Sequence, residues 1–211
     1  MRKQARFKLS GWIWALTGVF LIGCGGSEER AVYTPPESNG LPLEERRQVV
    51  ELEPEEVWDR LLDFFAQNDW QLESIEHETG NMIARIETDQ PSPYVYGGGY
   101  IARGSDEEQG YIVFLETEHA PELTAWVDVE VSPVEPGSTA INIDTRYHLV
   151  LPGVTMFVED LGEDVTFDDT NWIFRSGNYS NVQIQRPTGG AGPYRKVIAT
   201  GHIERTILEL F

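Results

Sequence analysis

Two segments, TAWVDVEVS and TAINIDTRYHLV, carry the strictest alternation of apolar and polar positions in the chain. Ala125, Val127, Val129 and Val131 recur at every second residue of the first, and Ile141, Ile143, Thr145, Tyr147 and Leu149 at every second residue of the second. A period of two places these side chains on one face of a sheet, and PVEPGS between them supplies the turn. An antiparallel strand pair with one covered face is predicted. Upstream, Pro54 opens a helix, because proline suits the first turn and Glu55 and Glu56 complement the dipole there. Val57, Trp58, Leu61, Leu62 and Phe65 follow at helical spacing through about Gln67, and Asn68-Asp69 ends the run. WQLESIEHE and NMIARIE flank Thr79-Gly80-Asn81 and read as a hairpin. QVVEL (48–52) and GYIVFLETE read as strands, while DQPSPYVYGGGY is broken by its prolines and glycines. ATGHIERTILELF makes a terminal helix, with Thr200 as candidate N-cap and Ile203, Ile207, Leu210 and Phe211 on one side. The predicted fold is α+β: an antiparallel β-sheet with an N-proximal helix and a C-terminal helix packed on one face.

The ends of this domain are set by loss of periodicity. Residues 151–194 show no sustained pattern and read as an acidic, irregular insertion, within which Ser176-Gly177-Asn178 offers a hairpin turn. Residues 24–47, with Gly, Ser, Pro and charge, read as a flexible tether; Val32, Tyr33 and Leu41 are its only apolar anchors. A single domain is expected over 48–211.

The first residues differ from everything after them. MRKQARFKLS has four basic side chains and no acidic one, and an apolar run to Gly23 follows. From Leu9 to Gly23 that run spans 15 residues, whereas a membrane-spanning helix needs about 20. The layout is that of a cleaved secretory signal over residues 1–23. It ends Leu21-Ile22-Gly23-Cys24, which resembles the lipobox of bacterial lipoproteins, whose cysteine is acylated and becomes the mature N-terminus. Cys24 is the only cysteine in the chain, so no disulfide competes for it. Acyl chains contribute about 0.8 kcal/mol per buried methylene, and several chains make attachment long-lived. Gly25, where lipoproteins kept in the inner membrane usually have Asp, points to the outer membrane, facing the periplasm.

Without residues 1–23 the chain carries 12 Arg+Lys against 35 Asp+Glu, a formal charge of −23. A body of that sign repels nucleic acid, whose binding requires basic surface. It is also unsuited to electrostatic docking on anionic lipid, so membrane attachment falls to the acyl chains. The acids are spread from Glu28 to Glu209, the pattern of a hydrated surface.

LEPEEVWDRLLDFFAQNDWQLESIEHETGNMIARIE resembles the opening of the BamC-like, helix-grip lipoprotein domains. Trp58 in the first helix, Glu76 and Gly80 at the hairpin and Ile83 in the strand after it occupy the matching places. ATGHIERTILELF is similar to the closing helix of related small lipoproteins, with Thr200, Gly201 and Glu204 matching. The resemblance implies a helix-grip fold and an accessory role in outer-membrane protein assembly, with envelope proteins as partners.

Candidate chemistry is sparse. His77, His119, His148 and His202 form no H-x-x-x-H or H-E-x-x-H pattern, and Ser105, Ser132, Ser176 and Ser180 lack a nucleophile elbow. Asp144 and His148 can share a strand face, but no third ligand is evident. The acidic group Glu159, Asp160, Glu163, Asp164, Asp168 and Asp169 lacks the spacing of a calcium loop and reads as a solvated loop. No catalytic residue, cofactor or metal site is expected. Tyr94, Tyr96 and Tyr100 in YVYGGGY form a candidate contact surface, since tyrosine supplies apolar area and a hydroxyl. The sequence favours a non-enzymatic binding or scaffolding lipoprotein of the envelope. The alternative is a carrier of a small apolar ligand held between sheet and terminal helix, lined by Trp58, Trp126 and Ile207.

Overall fold

The computed structural model describes residues 31–153, 155–158, 163–185 and 191–211. Cys24, the expected signal segment at 1–23, Glu159 and Asp160 therefore lie outside the described residues. The chain runs β1 (Val32–Thr34), a 3-10 turn (Leu43–Glu45), β2 (Arg47–Val50), α1 (Pro54–Gln67), β3 (Gln71–Glu76), β4 (Asn81–Thr88), β5 (Val95–Tyr96), β6 (Gly99–Ile101) and β7 (Glu108–Gly110). It continues through α2 (Tyr111–His119), β8 (Glu122–Glu135), β9 (Ser138–Leu151), β10 (Thr155–Val158), β11 (Glu163–Thr166), β12 (Thr170–Arg175), β13 (Tyr179–Gln185), β14 (Ala191–Ala199) and α3 (His202–Leu208).

The strict alternation produces what it predicts. β8 and β9 are 14 residues each and pair antiparallel, with Val127 opposite Thr145 and Val129 opposite Ile143. The main sheet runs β12-β9-β8-β4-β3, and all its pairs are antiparallel. One edge of β9 serves two strands in succession. β2 pairs with residues 139–142 and β12 with residues 146–151. At the gap between them, Ile143 N–H donates to the Arg46 carbonyl and Ser176 N–H to the Thr145 carbonyl, each at 2.9 Å. The backbone is thus satisfied where the ladder changes partner.

Helix α1 carries Val57, Trp58, Leu61 and Phe65 into the core, as their spacing requires. It closes through Asn68, whose Nδ2 donates to the Phe64 carbonyl at 2.8 Å, and the chain turns at Asp69 with φ +57°. Gly80 holds the β3–β4 hairpin at φ +74°, and a Cβ there would collide with the Val131 carbonyl oxygen. Ile203 and Ile207 of α3 are fully buried with Val127, Ile141, Ile143 and Leu149 of the sheet. Both helices lie on the apolar face, and each large apolar side chain buried there contributes about 1.5–3 kcal/mol. The molecule is mixed α+β, with antiparallel sheets, an N-proximal helix and a C-terminal helix. Residues 31–211 form one compact unit.

Three segments differ from expectation. GYIVFLETE is helical rather than extended: α2 buries Tyr111, Ile112 and Leu115 and ends at Ala120 in the left-handed region, before Pro121. Five consecutive apolar residues give no period, so packing decides. The described residues within 151–194 are not irregular but hold β10, β11, β12, β13 and part of β14. No ladder spans Ser176-Gly177-Asn178, because β12 joins β9 while β13 joins β14. The tether is paired from Val32 onward, since β1 lies antiparallel on β6. Leu41, one of its apolar anchors, is buried and donates its N–H to the Ser176 carbonyl.

Candidate functional site

One concavity of the surface, the one with the most aromatic lining among those described, forms around α2. A cleft of about 270 Å³ is lined by Tyr100 of β6, by Tyr111, Phe114, Leu115 and His119 of α2, and by Leu151, Pro152 and Gly153 after β9. Its other wall comes from Phe167, Asp168 and Thr170, with Ile184 of β13 and Arg195 of β14. The aromatic side chains are in contact. Tyr100 lies 4.4 Å from Phe114 and 5.7 Å from Tyr111 between ring centroids, and Tyr33 of β1 meets Tyr111 edge-on at 5.5 Å. Offset and edge-on pairs of this kind add about 0.5–1.5 kcal/mol each beyond burial.

The glycines of YVYGGGY let this cluster form. Gly98 sits at φ +85°, where a Cβ would collide with the Thr34 carbonyl oxygen of β1, and its own carbonyl accepts the Tyr111 N–H at 2.8 Å. β1, β6 and the start of α2 therefore meet at one bare backbone.

Arg195 is the cation of the site. Its guanidinium carbon sits 4.2 Å from the Tyr33 ring centroid and 5.4 Å from that of Tyr111. Nη1 donates to the Tyr194 carbonyl at 3.2 Å, and Nε is buried with no hydrogen-bond partner. Among the described residues no carboxylate lies within ion-pair range of Arg195. The backbone that carries it is fixed. Trp172 Nε1 donates to the Arg195 carbonyl at 3.1 Å, and the Tyr33 hydroxyl accepts from Lys196 N–H at 2.9 Å and donates to the Lys196 carbonyl at 3.1 Å. Burial raises the Tyr111 hydroxyl to about 12, partly opposed by the positive charge of Arg195. Tyr33 is raised for the same first reason.

A second polar group lies inside the core. Glu204 of α3 is 0 % exposed. It accepts hydrogen bonds from the Ser176 hydroxyl and, at 3.3 Å, from the Tyr147 hydroxyl. Ser176 Oγ in turn accepts the Thr145 N–H at 2.9 Å. Burial, and then the negative charge of Glu204, push the Tyr147 hydroxyl well upward. These groups join α3 to the gap in the β9 edge and face no cleft.

The residues singled out from sequence divide among several places. Tyr100 lines the cleft, Tyr94 lies 5.6 Å from the His202 ring, and Tyr96 is 45 % exposed on β5. No ring contact joins the three among the described residues. Trp126 points to the sheet face opposite Ile207, where Arg146 covers its ring at 4.6 Å. Trp58 packs against His77. The trio expected to line an apolar pocket under the terminal helix therefore shares no space. Asp144 and His148 are on the open face with separate partners: Asp144 pairs with Arg46 at 2.9 Å and with Arg175, and His148 bonds Asn171 at 2.8 Å. Asp169 accepts the Gly153 N–H, and no three His, Cys, Asp or Glu side chains gather as a metal site among the described residues. Arg195 escapes a sequence reading, although an Arg-Lys pair late in so acidic a chain is a compositional signal. The pairing of Phe114 with His119 on α2 escapes it because the apolar run at 111–115 suggests a strand. No helix among the described residues is long and apolar enough to cross a membrane. Compared with family models, curated proteins and solved structures, the chain matches none.

Proposed function

We propose that the protein is a lipid-anchored, non-enzymatic binding module of the bacterial cell envelope, and that it holds a small apolar ligand in the α2 cleft. The anchor is the acylated Cys24 that the LIGC sequence implies, and Gly25 rather than Asp after it favours the outer membrane, facing the periplasm. The resemblance to BamC-like, helix-grip lipoprotein domains supports the same address. The observation that carries binding is the lining of the cleft: Tyr100, Tyr111, Phe114, Leu115, Leu151 and Ile184 surround about 270 Å³. That is close to the lower end of the ~300–1,000 Å³ typical of ligand sites, so the fitting ligand is a single ring or a short chain.

The neutral single-ring probe 3-phenylpropanol tests the cleft. In NMR titrations it should shift the signals of Leu115 and Leu151, and Ile184→Trp, which fills the space, should weaken binding about tenfold or more. Absence of any saturable shift would remove the cleft as a binding site. The anchor is tested by intact mass of the membrane-extracted chain, and Cys24→Ala should move the protein to the soluble fraction.

A scaffolding role, accessory to outer-membrane protein assembly, is favoured by one separate feature. β3 forms the far end of the main sheet, with Leu72 and Ile75 exposed by 39 % and 42 %. A free strand edge accepts an added strand. Crosslinking from position 72 in cells distinguishes this reading by recovering an envelope protein.

A further inference from the structure

We propose that the ligand of the α2 cleft is an apolar monocarboxylate, its carboxylate received by Arg195. The inference rests on the cleft being a binding site and names the chemistry that site selects. The Arg195 guanidinium carbon lies over the Tyr33 ring at 4.2 Å and over the Tyr111 ring at 5.4 Å. Cation–π contact of that kind uses the charge of the group without replacing an anionic acceptor at its N–H donors. A carboxylate meets those donors with two parallel charge-assisted hydrogen bonds, which a hydroxyl or a single carbonyl does not. Among the described residues Nη1 donates to the neighbouring Tyr194 carbonyl, the Tyr111 hydroxyl lies within reach of the guanidinium, and Nε has no partner. Beside an apolar wall a charge is screened less than in water, so a carboxylate next to the guanidinium is held more strongly there than at an open surface.

Arg195 is also positioned in advance. The Trp172 and Tyr33 hydrogen bonds fix the backbone at residues 195 and 196, and the Tyr33 ring and the Tyr194 carbonyl hold the side chain, so less of its freedom remains to be lost on binding. The rest of the wall is apolar and suits a ring or chain. Net charge does not forbid an anion. The Debye length is about 8 Å at 0.15 M salt, so the cleft responds to its nearest charges rather than to the whole acidic surface. Among the described lining residues those charges are Arg195 and the exposed carboxylate of Asp168 at the rim. One positive group against one negative group admits a single carboxylate and disfavours a dicarboxylate.

The probes are 3-phenylpropanoate and octanoate, which separate an aryl acid from an acyl chain, each compared with its alcohol, 3-phenylpropanol or octanol. The purified chain is used as its Cys24→Ala form, at 0.15 M salt and neutral pH. At least one acid should bind about tenfold more tightly than its alcohol, as a charge-assisted pair implies. Arg195→Gln should collapse that ratio to about one, and Arg195→Lys should keep only part of it. Asp168→Asn, at an exposed position that does not threaten folding, should widen the ratio by tightening the acid alone. Equal affinities of acid and alcohol, or a preference for acid that survives Arg195→Gln, overturn the carboxylate assignment while leaving the cleft as an apolar site. If neither acids nor alcohols bind, the cleft itself fails, and the carboxylate with it.

Discussion

Glu204 is a carboxylate in the core with hydroxyl partners and no cation among the described residues. Removing it leaves the Ser176 and Tyr147 hydroxyls facing each other across a void. Glu204→Ala should therefore destabilise by about 3 kcal/mol or more, the sum of unpaired donors and a cavity. Glu204→Gln, which keeps one acceptor and the volume, should cost less than about 1.5 kcal/mol. Urea midpoints compare the pair, and a neutral alanine variant would show that the network contributes nothing. The buried tyrosines make a separate statement about pH. Tyr111 is raised to about 12 when folded, against about 10 unfolded. Below pH 10 both states hold the proton, and no stability depends on it. Between pH 10 and 12 the unfolded chain releases the proton first, so stability falls as pH rises. At pH 11 the loss through Tyr111 should be about 1.4 kcal/mol relative to pH 9, with Tyr33 and Tyr147 adding in the same direction. Tyr111→Phe should flatten that part of the urea-stability curve, and an unchanged slope would contradict the burial of this hydroxyl.

At the scale of elements, the chain is readable where one face meets the core and the other meets water. Helix α1, the β3–β4 hairpin and the β8–β9 pair all have that character, so their periods are written in the residues. α2 does not. Tyr111, Ile112, Val113, Phe114 and Leu115 are apolar in succession, and neither period fits better than the other. Its conformation follows from distant residues: the bare backbone at Gly98, and Pro121 after Ala120. The same holds for β1. A three-residue strand has no pattern of its own, and it is held by Tyr33 on Lys196, by Lys196 Nζ on the Pro36 carbonyl at 3.1 Å, and by the same amine on Asn39 at 2.8 Å. The cleft was illegible for that reason, being assembled from elements fixed only by long-range contacts. Tyr33→Ala should free the segment before Leu41. Limited proteolysis should then cut between residues 34 and 40, which the parent chain resists, and cleavage at equal rates would mean that the two hydrogen bonds do not restrain it.

Charge belongs to the whole molecule, and two opposing effects can be ranked by size. The ion pairs on the open sheet face, Arg46 and Arg175 with Asp144 and Arg85 with Glu73 and Glu87, are partly exposed, and each contributes about 0–1 kcal/mol that salt weakens. Against them stands the excess of 23 negative charges on the chain after Gly23. Two like charges 20 Å apart in water repel by about 0.2 kcal/mol, and 23 uncompensated charges form roughly 250 pairs at this order of separation. Unfolding moves those charges apart and relieves much of that energy, so repulsion favours the unfolded chain. Raising salt from about 0.01 M to 0.15 M shortens the Debye length from about 30 Å to 8 Å and removes most of the long-range part. The ion pairs then lose at most a few kcal/mol while the folded body gains more. The melting temperature should rise by several degrees over that range and level off above it, because only contacts shorter than the screening length remain. A scan in sodium chloride measures this directly. A fall in melting temperature over the same range would mean that the local pairs outweigh the global field, and that the acids are placed to attract rather than merely to hydrate.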